Sequence, residues 1–187
     1  MTAFAIVLFL GAVAGWIAAE AAPRSRRWYL RLAAMLYAAM AISVAAEFAA
    51  PAVIEIVAAL AAPLLAMAAC RRVPPVAATI VLAASCVAGI AAAATGTAVL
   101  STLPQVLAGL AILAMARRAT TRRSRLYLAL GAVSLLGATA CQLTDGMLAQ
   151  AGLLLFSAAG LLGVALVSDV LVEQRQKDEA RLAIRAR

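Results

Sequence analysis

Three of the chain's eight carboxylates, Glu47, Glu55 and Asp145, lie in long stretches that contain no arginine or lysine at all. Three amides, Gln105, Gln142 and Gln150, fall in the same kind of stretch, with Ser101 and Thr102 just ahead of the first. A carboxylate attracts a cation or holds a proton, and an amide both donates and accepts hydrogen bonds. Inside an apolar span an ionisable group costs about 2.5–3.5 kcal/mol, so an unpaired one is usually there for a purpose. Brought together, these residues would form an electronegative polar site for a small solute or a cation. The ordinary alternative is that they sit at helix ends and are solvated. Glu55 would favour a helix N-terminus through the dipole, and Asp145-Gly146 has common turn chemistry.

Other chemistry is thinly represented. The chain has no histidine, which removes the commonest general base and metal ligand. Cys70, Cys86 and Cys141 show no paired spacing and read as small core residues rather than ligands or disulfides. We therefore expect no enzyme, no catalytic residues, no metal site and no cofactor. Asp145-Gly146-Met147-Leu148-Ala149-Gln150 opens like the CDP-alcohol phosphotransferase signature, but Gln150 stands where that family has arginine and its further aspartates are missing.

The elements that would carry the polar residues follow from composition. Two thirds of the 187 residues are apolar, 13% are charged and the mean hydropathy is +1.03. Soluble domains are about half apolar and about a quarter charged. A water-soluble chain of this size could not hide so much apolar surface. The opening run, Thr2 to Ala19, has no basic residue before it and is long enough to span. It is expected to be a retained helix rather than a cleaved signal.

All sixteen basic residues fall in four clusters, Arg24 to Arg31, Arg71-Arg72, Arg117 to Arg125 and Arg175 to Arg187. The intervening stretches hold 39, 44 and 49 residues. A span needs about 20 residues to cross about 30 Å of hydrocarbon, so each stretch fits two spans and the first 23 residues fit one. The spacing predicts an all-α integral membrane protein, a seven-helix bundle with spans at 2–20, 29–48, 52–70, 76–94, 99–116, 126–145 and 147–170. The positive-inside rule puts the N-terminus outside and the C-terminus in the cytoplasm. The predicted organisation is a transmembrane domain, 1–171, and a basic cytoplasmic helical tail, 172–187.

The net charge of +8 is then a topogenic signal whose partner is the anionic headgroups at the cytoplasmic face. Nucleic acid is not expected, since no basic patch is interleaved with stacking aromatics. Heavy use of alanine, and of arginine over lysine, fits a GC-rich bacterial genome, and the expected location is a bacterial inner membrane. A shift of 98 residues lays WYLRLAA (Trp28 to Ala34) on LYLALGA (Leu126 to Ala132), Glu47 on Asp145 and Gly11 on Gly109. This predicts a 3+1+3 parallel repeat of the kind many transporters carry. Gly11-x-x-x-Gly15 predicts close helix packing within the bundle. Pro63 and Pro104 are expected hinges.

Leu103-Pro104-Gln105 resembles the proline–glutamine signature of the PQ-loop family, which includes the SWEET sugar transporters. That resemblance implies three-plus-one-plus-three helices, an external N-terminus and small-solute transport with Pro104 as a hinge. The family would place a second Pro-Gln pair in the first span, where this chain has Ile6-Val7. A retinal protein would need a lysine in the last span, and the single lysine, Lys177, is in the tail. The leading expectation is a small-solute or cation transporter or channel with an outward-facing polar site. The alternative is a sensory or assembly subunit whose tail docks a protein partner. In that tail Glu173–Lys177 and Asp178–Arg181 have helical pair spacing. Near the first basic cluster, Glu20 and Arg24 are expected to form a solvated pair.

Overall fold

The structure, a computed structural model, describes residues 2–46, 51–70, 73–119, 121–144 and 146–185. Side chains are described for these except at 2, 21, 25, 51, 52, 147 and 168–185. The described residues form seven α-helices and no strand: α1 Thr2–Ala21, α2 Arg24–Ala45, α3 Pro51–Ala69, α4 Pro75–Thr95, α5 Ala98–Arg118, α6 Arg122–Gln142 and α7 Met147–Arg185. Six are long and apolar enough to cross a membrane, and α3 contributes a shorter apolar stretch, Val53–Ala69. A backbone facing lipid must satisfy its hydrogen bonds within the helix, which is why a chain of this composition takes this form. The protein is a helical, multi-pass membrane protein.

The helices correspond to the seven sequence-derived spans, with shifts at their ends that have local causes. α2 and α6 begin among their arginines rather than after them, because arginine is a good helix former and can extend its charged head away from the apolar region. The Thr121 side chain caps α6 by accepting from the Ser124 N–H at 3.2 Å. Between α4 and α5 the expected turn, 95–101, shrinks to Gly96-Thr97. Gly96 takes φ 66°, a left-handed value that stops α4 within one residue and lets α5 start before Ser101. Gly146, at φ 119°, makes the corresponding turn before α7. α7 continues without a break to Arg185, so the predicted boundary at 171–172 is not marked by any interruption of the helix. At about 1.5 Å per residue its 39 residues run about 58 Å, nearly twice the depth of the hydrocarbon layer.

Consecutive helices pack against one another from α1 to α7, and α1 also packs on α7, and α3 on α5. α3 is enclosed, with every residue from Val57 to Ala69 buried except Leu60. α4 is peripheral and touches mainly α3. Glycines set the closest approaches. A Cβ on Gly163 would lie 2.9 Å from the backbone oxygen of Tyr127 and 2.9 Å from the nitrogen of Gly131, so α6 and α7 meet backbone to backbone. Gly11 and Gly15 face Ala158 and Leu161 of α7, so that motif is used inside the bundle.

At the end of the bundle where α1 meets α2, Glu20 pairs with Arg31 and, at 3.9 Å, with Arg27 rather than with Arg24, which is exposed. The expected Glu20–Arg24 pair does not form. Ala22 and Pro23 break the helix between them, so four-residue spacing no longer puts them on one face. Arg31 also stacks over Trp16, 5.1 Å from the ring centre.

Candidate functional site

The polar cluster is built where α3, α5 and α6 meet, at the end of the bundle away from the arginines. Glu55 lies in the second turn of α3, Ser101 in the first turn of α5, and Gln142 is the last residue of α6. Gln105 lies one turn below Ser101 on α5, and Thr139 three residues before Gln142 on α6. These i, i+3 and i, i+4 spacings put both members of each pair on the same helix face. α5 runs parallel to α3, as the Glu55–Ser101 and Cys70–Met115 contacts at its two ends show, and antiparallel to α6. Ser101, Gln105 and Thr139 are buried, while Glu55 and Gln142 are half-buried.

The hydrogen bonds form one connected network. Glu55 Oε2 accepts from the Ser101 hydroxyl and from Gln142 Nε2 at 2.6 Å. Gln142 Nε2 also donates to Ser101 Oγ at 2.9 Å, so both of its hydrogens are used. Gln142 Oε1 accepts from Gln105 Nε2 at 2.5 Å, and Gln105 Oε1 accepts from Thr139 Oγ1 at 3.2 Å. Gln105 Nε2 reaches back to the Ser101 carbonyl at 3.3 Å. Every side chain therefore orients the next, and the chain of donors ends on the carboxylate. No arginine or lysine pairs with Glu55 among the described residues. A carboxylate without a cationic partner in a half-buried setting can attract a cation or hold a proton.

The proton count of the cluster is balanced in a useful way. Ser101 Oγ has one hydrogen and two acceptors in reach, Glu55 Oε2 and the Ala98 carbonyl at 2.8 Å. With Glu55 ionised, the hydroxyl donates to it. With Glu55 protonated, the acid donates to Ser101 and the hydroxyl hydrogen turns to Ala98. The network keeps its hydrogen bonds in both states by rotating one hydroxyl.

Of the residues singled out from sequence, Glu55, Gln105 and Gln142 come together, joined by Ser101. Gln150 is exposed near the start of α7 and has no place in the network. Glu47 and Asp145 lie outside the described residues. Thr102 is buried on α5, but its hydroxyl is bonded to the Val99 carbonyl of its own helix. Thr139 was not anticipated. The available signal was its spacing, since a threonine three residues before Gln142 must share the amide's face. Both prolines lie inside unbroken helices, Pro63 in the buried part of α3 and Pro104 immediately before Gln105. Pro104 has no N–H to offer the Leu100 carbonyl one turn back, which leaves α5 weakest beside the cluster. Among the described residues no group of histidine, cysteine or carboxylate side chains is arranged to hold a metal ion.

Comparison with protein-family models, curated proteins and solved structures gives no match. The PQ-loop resemblance thus rests on Leu103-Pro104-Gln105 alone.

Proposed function

We propose that this is a carrier or channel-like protein for a cation or small polar solute, with its site at the Glu55–Ser101–Gln105–Thr139–Gln142 network. The observation that carries the reading is a carboxylate with no cationic partner among the described residues, held by donors from two other helices. The network's tolerance of both protonation states makes a proton a suitable coupled ion. The arginine distribution supports seven crossings, with the arginine-rich end cytoplasmic in a bacterial inner membrane and the polar cluster near the outer face. A reporter fused at Thr95 should then register outside, and fusions after Arg72 and Arg125 should register inside. A cytoplasmic signal at Thr95 would overturn this orientation.

A 3+1+3 repeat fits the same reading. Adding 98 to the bounds of α1, α2 and α3 gives 100–119, 122–143 and 149–167, close to the bounds of α5, α6 and the membrane part of α7. Packing matches as well, since α1–α2 and α2–α3 correspond to α5–α6 and α6–α7, and α1–α7 corresponds to α5–α3. Two such halves facing each other with α4 as connector would place Glu55 at the junction between them.

Glu55→Gln in liposomes is the direct test. Loss of the charge-assisted hydrogen bonds should lower solute-driven or proton-driven flux by roughly tenfold, on the scale of hydrogen bonds to charged groups. Glu47→Gln and Asp145→Asn should weaken cation attraction by a smaller factor if all three carboxylates share one mouth. Wild-type flux in the Glu55 variant would reduce the network to a helix clasp.

The length of α7 favours a second reading, in which its extension docks a cytoplasmic protein and the bundle is a sensory or assembly subunit. Removing 172–187 should then abolish a partner interaction while leaving the bundle folded. A truncated protein that retains every function would leave the tail as a topogenic anchor only.

A further inference from the structure

A cavity of about 430 Å³ lies between α3, α4 and α5, and none of the polar-cluster side chains lines it. Its floor is α3, at Pro63, Ala66 and Met67. One wall is α4 from Ala77 to Ala88, and the other is α5 from Leu103 to Ala111. The floor is buried, whereas Ala77, Val81, Ala84, Leu107 and Ala111 are exposed, so the cavity opens sideways between α4 and α5 toward the surrounding lipid.

Its chemistry is apolar to an unusual degree. Only Ser85 and Cys70 bring polar hydrogens to the lining. The Ser85 hydroxyl donates to the Val81 carbonyl at 2.8 Å, and the Cys70 thiol is directed at the Met115 sulfur at 3.3 Å. Nothing is left to hold a polar solute. A volume of this size is in the range of small-molecule sites, roughly 300–1,000 Å³, and is not a packing defect.

Length selects the occupant. Ala77 to Ala88 is eleven residue steps, about 16 Å of helix. That matches one leaflet of hydrocarbon, about 15 Å, and is only half of what a partner's spanning helix would need. Charge adds the headgroup. The cavity reaches Cys70 and Val73 at the arginine-rich end. Arg118 is exposed, seven residues after Ala111 on the same face of α5, with Arg117 beside it. We propose that the cavity between α3, α4 and α5 binds one acyl chain of an anionic phospholipid whose phosphate lies against Arg118.

A phosphatidylglycerol carrying a photoreactive group in mid-chain tests this in nanodiscs containing the full chain. Labelling should concentrate on Ala84, Leu107 and Ala111 and exceed that from a matched phosphatidylcholine. Ala111→Trp, which fills the cavity from an exposed position, should remove it, whereas Leu110→Trp on the outward face should not. Arg118→Gln should lower the phosphatidylglycerol preference by about fivefold, the effect of one arginine near a membrane surface. Arg24→Gln, the same charge loss elsewhere, should leave it unchanged. Equal labelling by both lipids, or labelling spread over Ile80, Val87 and Leu110 and indifferent to Ala111→Trp, would mean annular lipid only and overturn the proposal. So would a concentration-dependent dimer crosslinked through the same wall.

Discussion

The α6–α7 seam and the α4–α5 seam are both made of short side chains, yet one is closed and the other open. Along α6–α7, Gly131, Gly160 and Gly163 interlock so that each helix meets the other's backbone, and the space beside Gly137 is filled by Phe156. Between α4 and α5, alanines line both walls, but no glycine stands at matching depth on the two helices to bring them together. α4 is instead drawn to α3, where a Cβ on Gly89 would lie 3.0 Å from the Ile56 Cα. Small residues permit close approach only when they occur in register on both partners. Otherwise they leave a void. The tight seam anchors α6, the helix that carries both Thr139 and Gln142, while the open one runs beside Pro104 and Gln105. Thr139 and Gln142 therefore stand on a helix held by a closed seam, and Ser101 and Gln105 on one that borders the cavity.

The largest effect should come from closing off the tight seam. Gly163→Leu must displace backbone rather than a flexible side chain, and should destabilise the bundle by about 3 kcal/mol or prevent folding. Unfolding in mixed micelles would measure it, and a change below 1 kcal/mol would show the seam is looser than its geometry. Gly15→Ala provides the contrast, since its added methyl meets side-chain atoms of Leu161 at 3.0–3.1 Å rather than backbone. It should cost less than about 1 kcal/mol.

Between these extremes lies Gln105→Leu, which strips Thr139 and Gln142 of a partner in a buried setting. A cost near 1–2 kcal/mol is expected, together with a loss of flux similar to that of Glu55→Gln. Loss of stability without loss of flux would separate the clasp from the site. Ala111→Trp should have the smallest effect on stability, within about 0.5 kcal/mol, because its side chain is exposed at an existing cavity. A large loss there would mean that α4 and α5 close on one another in the folded protein.

The helical class and the existence of seven elements were legible in the chain because hydrocarbon enforces them locally. Each span must carry about 20 apolar residues whatever its neighbours do, and the arginines mark where spans end. Turn chemistry at Gly96 and Gly146 was local for the same reason. Helix contacts were not local. Glu55, Ser101, Gln105 and Gln142 could be placed near one depth by counting residues, but depth leaves the rotation of each helix undetermined. Rotation is set by which small residues interlock. It turned Gln142 inward with Thr139 and left Gln150, at a comparable depth, facing out. The lateral cavity depends on the same kind of pairing. Its walls are unremarkable apolar stretches of two helices, and only tertiary packing decides whether two such stretches meet or stand apart, because nothing in lipid drives apolar surfaces together unless their shapes fit.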